Sequence, residues 1–414
     1  MEKYKLKKLE NTPFSVEISL ASSKSESNRA LIINALANGK DNLSNISSAR
    51  DSQTMIRLLN SFEETADVLD AGTTMRFLTA YFCATNQSKI MTGTPRMCER
   101  PIGILVDSLR TLGASIQYLG KEGFPPIKIE HFKEQESETV SLRGDVSSQY
   151  ISAMLMIAPT LAKGLTIELV GEIGSKPYIE MTIAQMKAFG VEVETNWVNK
   201  TLKISPQKYR PVNYSIESDW SGASYWFSVV ALSQQPIEVD LLGLKKQSLQ
   251  GDSAIVEIMK AFGVKSKFHK NGVLLTKIKA KKFLEYDYTS CPDLVQTVVA
   301  CAAGIGIELE LTGIESLKIK ETDRVLALQE QVTKMGSELI EIEERTKYIL
   351  KNNKSKNVTN QIISFETYDD HRMAMAFAPL ALIQDIIIEE PHVVAKSYPS
   401  YWKDLSKIIE IESL

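Results

Sequence analysis

Cysteine is scarce in this 414-residue sequence. Cys83, Cys98, Cys291 and Cys301 form no C-x-x-C pair, which argues against a disulfide scaffold and for free thiols in a reducing compartment. Histidine is equally sparse: His131, His269, His371 and His392 are scattered, there is no H-E-x-x-H, and no metal site is expected. Also missing are G-x-x-x-x-G-K-[ST] and a G-x-G-x-x-G after a strand, which removes the commonest nucleotide-binding loops. No apolar run is long enough to cross a bilayer; the longest, around residues 151–162, is broken by Ser152. Residues 1–8 carry charge but no apolar stretch of a signal peptide. There is no excess of positive charge either, since the formal net charge is −3, which argues against a general nucleic-acid binder. The apolar fraction of 43% and charged fraction of 24% are those of a soluble globular protein. The expected setting is the cytoplasm, and the length predicts two domains.

One segment type recurs: a polar loop, an apolar alanine-rich helix, then a short strand. Copies begin near Lys24-Ser25, Gly72-Thr73, Ser147-Ser148 (with Val146 ahead of it), Ser221-Gly222, Pro292-Asp293 and Asp370-His371. Four of the following strands end in Gly93, Gly171, Gly243 and Gly313, spaced by about 70 to 78 residues. A second helix after each strand stops at Gly113, Gly190, Gly263 or Gly336, with the same spacing. The unit therefore reads strand–helix–strand–helix–strand–strand, about six times over, with irregular end copies. Near the midpoint, Ser205 to Pro211 is polar with two prolines, a candidate hinge between two domains of three units.

The helix starts carry groups suited to anions, because a helix N-terminus offers unpaired N–H groups and a partial positive charge. Lys24 is expected in a loop, with Ser25 as cap and Arg29 one turn on; Gly72 lets the backbone approach a ligand, with Thr73 or Thr74 capping and Arg76 adding charge. Ser147, Ser148 and Gln149 supply hydroxyls and an amide, Asp293 a carboxylate, and Asp370-His371-Arg372 a further cluster. Arg96 and Arg100 fall in a loop before a helix. Taken singly, each is an ordinary cap; Lys318 to Arg324 is a solvated helix face and Lys396 a surface lysine. Together they suit a small polyanion and the movement of one proton. The residues alone thus point to a metal-free enzyme or binder for small, doubly anionic molecules, with its site between two domains.

Seven motifs in order then carry a family resemblance: Ser23-Lys24-Ser25…Asn28-Arg29-Ala30; Asp70-Ala71-Gly72-Thr73…Met75-Arg76; Pro95-Arg96-Met97…Glu99-Arg100-Pro101-Ile102; Ser147-Ser148-Gln149; Ser175-Lys176-Pro177-Tyr178; Lys320-Glu321-Thr322-Asp323-Arg324; and Asp370-His371-Arg372-Met373-Ala374-Met375. Over essentially its whole length the chain resembles the 3-phosphoshikimate 1-carboxyvinyltransferase (enolpyruvylshikimate phosphate synthase) family. The resemblance implies a two-domain inside-out α/β barrel of six βαβαββ repeats, three per domain, with the active site in the interdomain cleft. It implies a C-terminal domain of residues 1–19 and 217–414, and an N-terminal domain of residues 20–216. The implied reaction moves the enolpyruvyl group of phosphoenolpyruvate to the 5-hydroxyl of shikimate 3-phosphate and releases phosphate, a step towards chorismate and the aromatic amino acids.

Residue by residue, the resemblance makes Lys24, Ser25, Arg29, Ser147, Ser148, Gln149, Ser175, Asp293 and Lys320 contacts of shikimate 3-phosphate. It makes Lys24, Gly72, Arg96, Gln149, Arg324, Arg372 and Lys396 contacts of phosphoenolpyruvate. Asp293 resembles the base at the 5-hydroxyl, Glu321 the group handling the methylene proton, and Lys24 a shared contact at the reacting centre. No cofactor, nucleic acid or membrane is expected, and the chain is read as a monomer. Asp70, Thr74 and Ser22-Ser23 depart from the family pattern, and Ser316 carries no assigned contact. Two alternatives share the scaffold: an enolpyruvyl transferase acting on UDP-N-acetylglucosamine, for which Cys98 would be the telling residue, and a non-catalytic anion-binding protein.

Overall fold

The computed structural model of the protein describes residues 2–9, 14–145, 147–344, 346–352 and 362–414. Val146, expected to open the third copy of the repeat, lies outside the described residues, as does Met1. Two compact units form: Ser22–Ile216, and Met1–Ala21 together with Glu217–Leu414.

In the Ser22–Ile216 unit, strand Thr65–Asp67 is followed by helix Gly72–Ala84 and a parallel strand, Lys89–Thr92. Helix Gly103–Thr111 and the antiparallel strands Ala114–Tyr118 and Ile127–Phe132 complete the sheet. Strands Thr139–Arg143, Leu165–Val170, Glu194–Asn196 and Thr201–Ile204 repeat that plan around helices Ser148–Ile157 and Lys176–Ala188. The first repeat is reduced to Leu43–Ser44 paired in parallel with Tyr214–Ser215. A crossover is required between parallel neighbours, and the apolar helix supplies it.

Among its described residues the other unit holds three four-stranded sheets, and two of them borrow a strand from the first twenty residues. Ser15–Ser19 pairs in parallel with Glu238–Leu242, and Lys3–Lys8 lies between Ile386–Glu389 and Ile409–Ser413, antiparallel to both. The chain passes between units at Ala21/Ser22 rather than after residue 19, since Leu20 packs in this core and the Ala21 carbonyl accepts from Asp219 N at 2.8 Å. Ser205 to Pro211 is not a hinge. Tyr209 is buried in the Ser22–Ile216 unit and donates to the Met156 carbonyl at 2.8 Å, and the second passage falls at Ile216/Glu217.

Three helices form the middle of each unit. Lys24–Leu36, Gly72–Ala84 and Ser148–Ile157 pack on one another in one unit; Trp220–Leu232, Val295–Ile305 and His371–Phe377 do so in the other. Their composition explains this: in Trp220–Leu232 every residue except Ser221 is buried, the signature of a helix surrounded by protein. The helix-ending glycines Gly113, Gly190, Gly263 and Gly336 all take positive φ, which halts the second helix and turns the chain into the hairpin.

Candidate active site

The six central helices are the ones at which the copies of the repeat begin, so their mutual packing gathers those starts within each unit. In the Ser22–Ile216 unit, helix Lys24–Leu36 is capped by Ser23, whose Oγ accepts from Glu26 N at 3.3 Å. Ser25, expected as the cap, is already within the first turn, and Lys24, expected in the loop, is its first residue. Lys24 Nζ meets Asp51 Oδ2 at 2.9 Å. Neither Thr73 nor Thr74 caps helix Gly72–Ala84. Thr74 Oγ1 donates to the Asp51 carbonyl at 3.2 Å, and Thr73 Oγ1 accepts from Gln149 Nε2 at 3.1 Å. Their hydroxyls thus tie one helix start to its neighbours. Ser147 does cap helix Ser148–Ile157, accepting from Gln149 N at 3.3 Å; Ser175 precedes Lys176–Ala188 with a positive φ and no side-chain cap.

Arg29 lies beneath this cluster, enclosed. It donates to Thr182 Oγ1 at 2.7 Å, Ser152 Oγ at 3.1 Å and the Ser25 carbonyl at 2.9 Å, between the rings of Phe77 and Tyr178. Burial pulls its pKa down to about 10, with Tyr178 acting in the other direction. A guanidinium has five N–H donors, so three such bonds leave two for a ligand.

Gly72 marks the other feature of this unit. A Cβ there would sit 2.7 Å from Arg76 Nη1 and 2.8 and 2.9 Å from the two terminal nitrogens of Arg100, so only glycine leaves these guanidinium groups undisturbed. Arg76 donates to the Gly72 and Pro101 carbonyls at 2.8 and 3.0 Å. Arg96, by contrast, is half exposed on the short helix Pro95–Cys98 and pairs with Glu99 at 3.0 Å. The segment expected to be a plain loop contains this helical turn, which sends Arg96 outward and leaves Arg100 facing Gly72.

The Met1–Ala21/Glu217–Leu414 unit is built from opposite charges. Arg324, 1% exposed, opens helix Arg324–Thr333. Its Nε donates to Asp370 Oδ2 at 2.7 Å, Nη1 to Asp293 Oδ1 at 3.0 Å and Nη2 to Glu321 Oε2 at 2.9 Å. Arg372 Nη2 reaches Asp293 Oδ2 at 2.8 Å, and Lys396 Nζ lies 3.6 Å from Glu321 Oε1. Lys396 is only 3% exposed, so it is not a surface lysine, and the Lys318–Arg324 run is no solvated face where it ends in buried Arg324. Burial opposes ionisation of Asp293, but Arg372, Lys320 and Arg324 outweigh it and hold the carboxyl well below the usual range. Burial likewise opposes the charge on Arg324, and Asp370, Glu321 and Asp293 together raise its pKa instead. Such a site holds a base in its ionised form and offers cations an incoming anion can share.

A family model described as EPSP synthase (3-phosphoshikimate 1-carboxyvinyltransferase) matches residues 10–70 and 58–405. The chain belongs to the EPSP synthase family. It is 46% identical over 393 residues to the 3-phosphoshikimate 1-carboxyvinyltransferase of Bacteroides fragilis strain YCH46, covering 94% of each chain. To the enzyme of that name from Vibrio vulnificus strain YJ016 it is 34% identical over 423 residues, covering 95% of this chain and 96% of the other. EPSP synthase from Acinetobacter baumannii has the same fold, with a TM-score of 0.77 over the full length of both chains at 21% identity.

Within the EPSP synthase scaffold, the assigned residues of the Met1–Ala21/Glu217–Leu414 unit come together: Asp293, Glu321, Arg324, Arg372 and Lys396 form one ion-pair network. In the Ser22–Ile216 unit, Lys24, Gly72, Ser147, Ser148 and Gln149 stand at linked helix starts, whereas Arg96 is not among the groups nearest Gly72. The assignment missed Arg100, Asp51 and Asp370. Arg100 had a signal, as the second arginine of its motif; Asp51 had none, being an ordinary acid in a helix start between repeats.

Proposed function

We propose that the protein transfers the enolpyruvyl group of phosphoenolpyruvate to the 5-hydroxyl of shikimate 3-phosphate and releases phosphate, acting in the cytoplasm as a monomer. The observation that carries this reading is the bridging of Asp293 and Glu321 by Arg324, with Arg372 on the first carboxylate and Lys396 near the second. The reaction needs two proton handlers. One takes the hydroxyl proton as oxygen adds to C2; the other gives a proton to C3 and removes one from it when phosphate leaves. We assign the first role to Asp293 and the second to Glu321, with Lys24 at the reacting centre.

The ground state of this cluster fits a binding-triggered base. Asp293 is a weak base while Arg324 and Arg372 donate to it. An anion that engages the same guanidinium groups draws their donors away, and the carboxylate becomes more basic when substrate is in place. In this reading Gly72, Arg96, Gln149, Arg324, Arg372, Lys396 and Lys24 hold phosphoenolpyruvate. Ser25, Arg29, Ser147, Ser148, Gln149, Ser175, Lys320, Asp293 and Lys24 hold shikimate 3-phosphate. The test is phosphate release from phosphoenolpyruvate with shikimate 3-phosphate or UDP-N-acetylglucosamine as acceptor. Release with the first alone supports the reading; release with the second alone, or with neither, rejects it.

A further inference from the structure

The fourth helix start, Ser221-Gly222, has no residue in the assignments above, yet it touches the charged cluster. Ser221 is the one residue of helix Trp220–Leu232 that is not buried. Its Oγ donates to Asp252 Oδ2, and Arg372 Nη2 approaches the same Oγ at 3.5 Å while donating to Asp293 Oδ2 at 2.8 Å. Asp252 itself is 1% exposed, on the 3-10 turn Gly251–Ala254.

We propose that Asp252 is a positioning residue for Arg372, acting through the Ser221 hydroxyl, and so a determinant of phosphoenolpyruvate binding; this rests on the reading that Arg372 holds that substrate. A hydroxyl has one proton and two lone pairs. When the proton goes to the Asp252 carboxylate, only lone pairs face the Arg372 guanidinium, and the hydroxyl becomes an acceptor that steadies it. Without Asp252 the hydroxyl is free to rotate, and that acceptor is no longer fixed. A buried carboxylate is costly to keep, and this contact gives it an electrostatic purpose.

The groups facing Asp252 are Asp219 at the cap of its partner helix, Asp293 and Cys291 ahead of helix Val295–Ile305, and Arg372 on helix His371–Phe377. Burial and the Asp293 charge push its carboxyl up to about 6, against Arg372 and the Ser221 hydrogen bond. Protonated, Asp252 can donate to Ser221 instead of accepting, which reverses the hydroxyl. Weaker hold on phosphoenolpyruvate is therefore expected as pH falls through this range.

The test compares wild type with Asp252→Ala, Ser221→Ala, the double variant and Asp252→Asn, by steady-state phosphate release and thermal melting. Asp252→Ala and Ser221→Ala should each raise KM for phosphoenolpyruvate by about tenfold, with the double variant no worse than the worse single one. KM for shikimate 3-phosphate should stay within about twofold, since only the Arg372 contact is loosened. Asp252→Asn keeps an oxygen that accepts from Ser221 and should restore KM at neutral pH. It should also lack the Asp252 titration, so the ratio of its kcat/KM to that of wild type, in which titration of the substrate cancels, should rise as pH falls through about 6. The proposal is overturned if the alanine variants leave KM for phosphoenolpyruvate unchanged, raise both KM values equally, or act additively. Should Asp252→Ala fail to fold, Ser221→Ala, which removes one partly exposed oxygen, decides alone. If wild-type protein releases no phosphate, the reaction assignment fails. Calorimetric binding of phosphoenolpyruvate, with shikimate 3-phosphate present, then decides the positioning role in the same variants.

Discussion

Arg29 is held by one carbonyl and two hydroxyls; Arg324 is held by three carboxylates. Both are buried arginines near the starts of motif-bearing helices, and their surroundings drive them in opposite directions, one pKa pulled down and the other raised. The difference teaches how two units built from one repeat compensate a buried arginine in different ways. Around Arg29 the positive charge is solvated by neutral dipoles, so a ligand's negative charge adds compensation. Around Arg324 compensation is already internal, so in the proposed reading an anion has to compete with Asp293 and Glu321, and its arrival changes how basic they are. Repetition supplied the same scaffold twice, and in the proposed reading side-chain choice at the helix starts separates holding from chemistry.

The largest effect should come from removing the carboxylates that Arg324 bridges. Asp293→Asn should lose about 10²–10⁴-fold in kcat while still binding both substrates. Glu321→Gln should lose turnover to a similar extent and specifically lose exchange of solvent deuterium into the methylene carbon of phosphoenolpyruvate. Exchange at the native rate would make Glu321 a structural partner of Arg324 and Lys396.

Next in size is a direct contest between the two arginines. Arg324→Ala leaves three carboxylates facing one another and should cost about 3–5 kcal/mol of stability by denaturant titration. Arg29→Met places an apolar chain between Phe77 and Tyr178 and should cost far less. It should nonetheless raise KM for shikimate 3-phosphate, by an amount set by one charged hydrogen bond, about 1.5–3 kcal/mol. Equal stability losses in the two variants would break the comparison.

A smaller difference is expected between Arg100 and Arg96. Because Arg100 faces Gly72 and Arg96 pairs with Glu99 in solvent, Arg100→Ala should raise KM for phosphoenolpyruvate more than Arg96→Ala. The reverse order would mean that the Pro95–Cys98 turn rearranges around substrate. The smallest change belongs to Cys98→Ser. The Cys98 Sγ lies 3.7 Å from the Gly93 carbonyl, and the serine variant should retain most of its activity. A loss of a thousandfold or more would favour the UDP-N-acetylglucosamine reading.

Much of this was legible in the sequence because backbone requirements recur. Glycines that stop helices at positive φ repeat at fixed spacing, and the alanine-rich helices between them can only be internal. The caps were harder to place. Ser23 rather than Ser25, and Ala71 rather than a threonine, precede their helices, because a one- or two-residue shift in the start costs little in composition and changes which oxygen faces inward. Partners across repeats were not legible. Nothing in the neighbourhood of Asp252 or Asp51 marks them, since their meaning lies in what Ser221 and Lys24 bring from other helices.

The strand pairing at the start of the chain bears on how the protein is made. Lys3–Lys8 is synthesised long before its neighbours, Ile386–Glu389 and Ile409–Ser413; Lys3 Nζ bonds Glu389 Oε1 at 2.6 Å across a separation of 386 residues. Ser22–Ile216 carries its own core and has all its partners once its last strand emerges. On the ribosome the Ser22–Ile216 unit can therefore settle before Lys3–Lys8 does, because both partner strands of Lys3–Lys8 are made only after that unit.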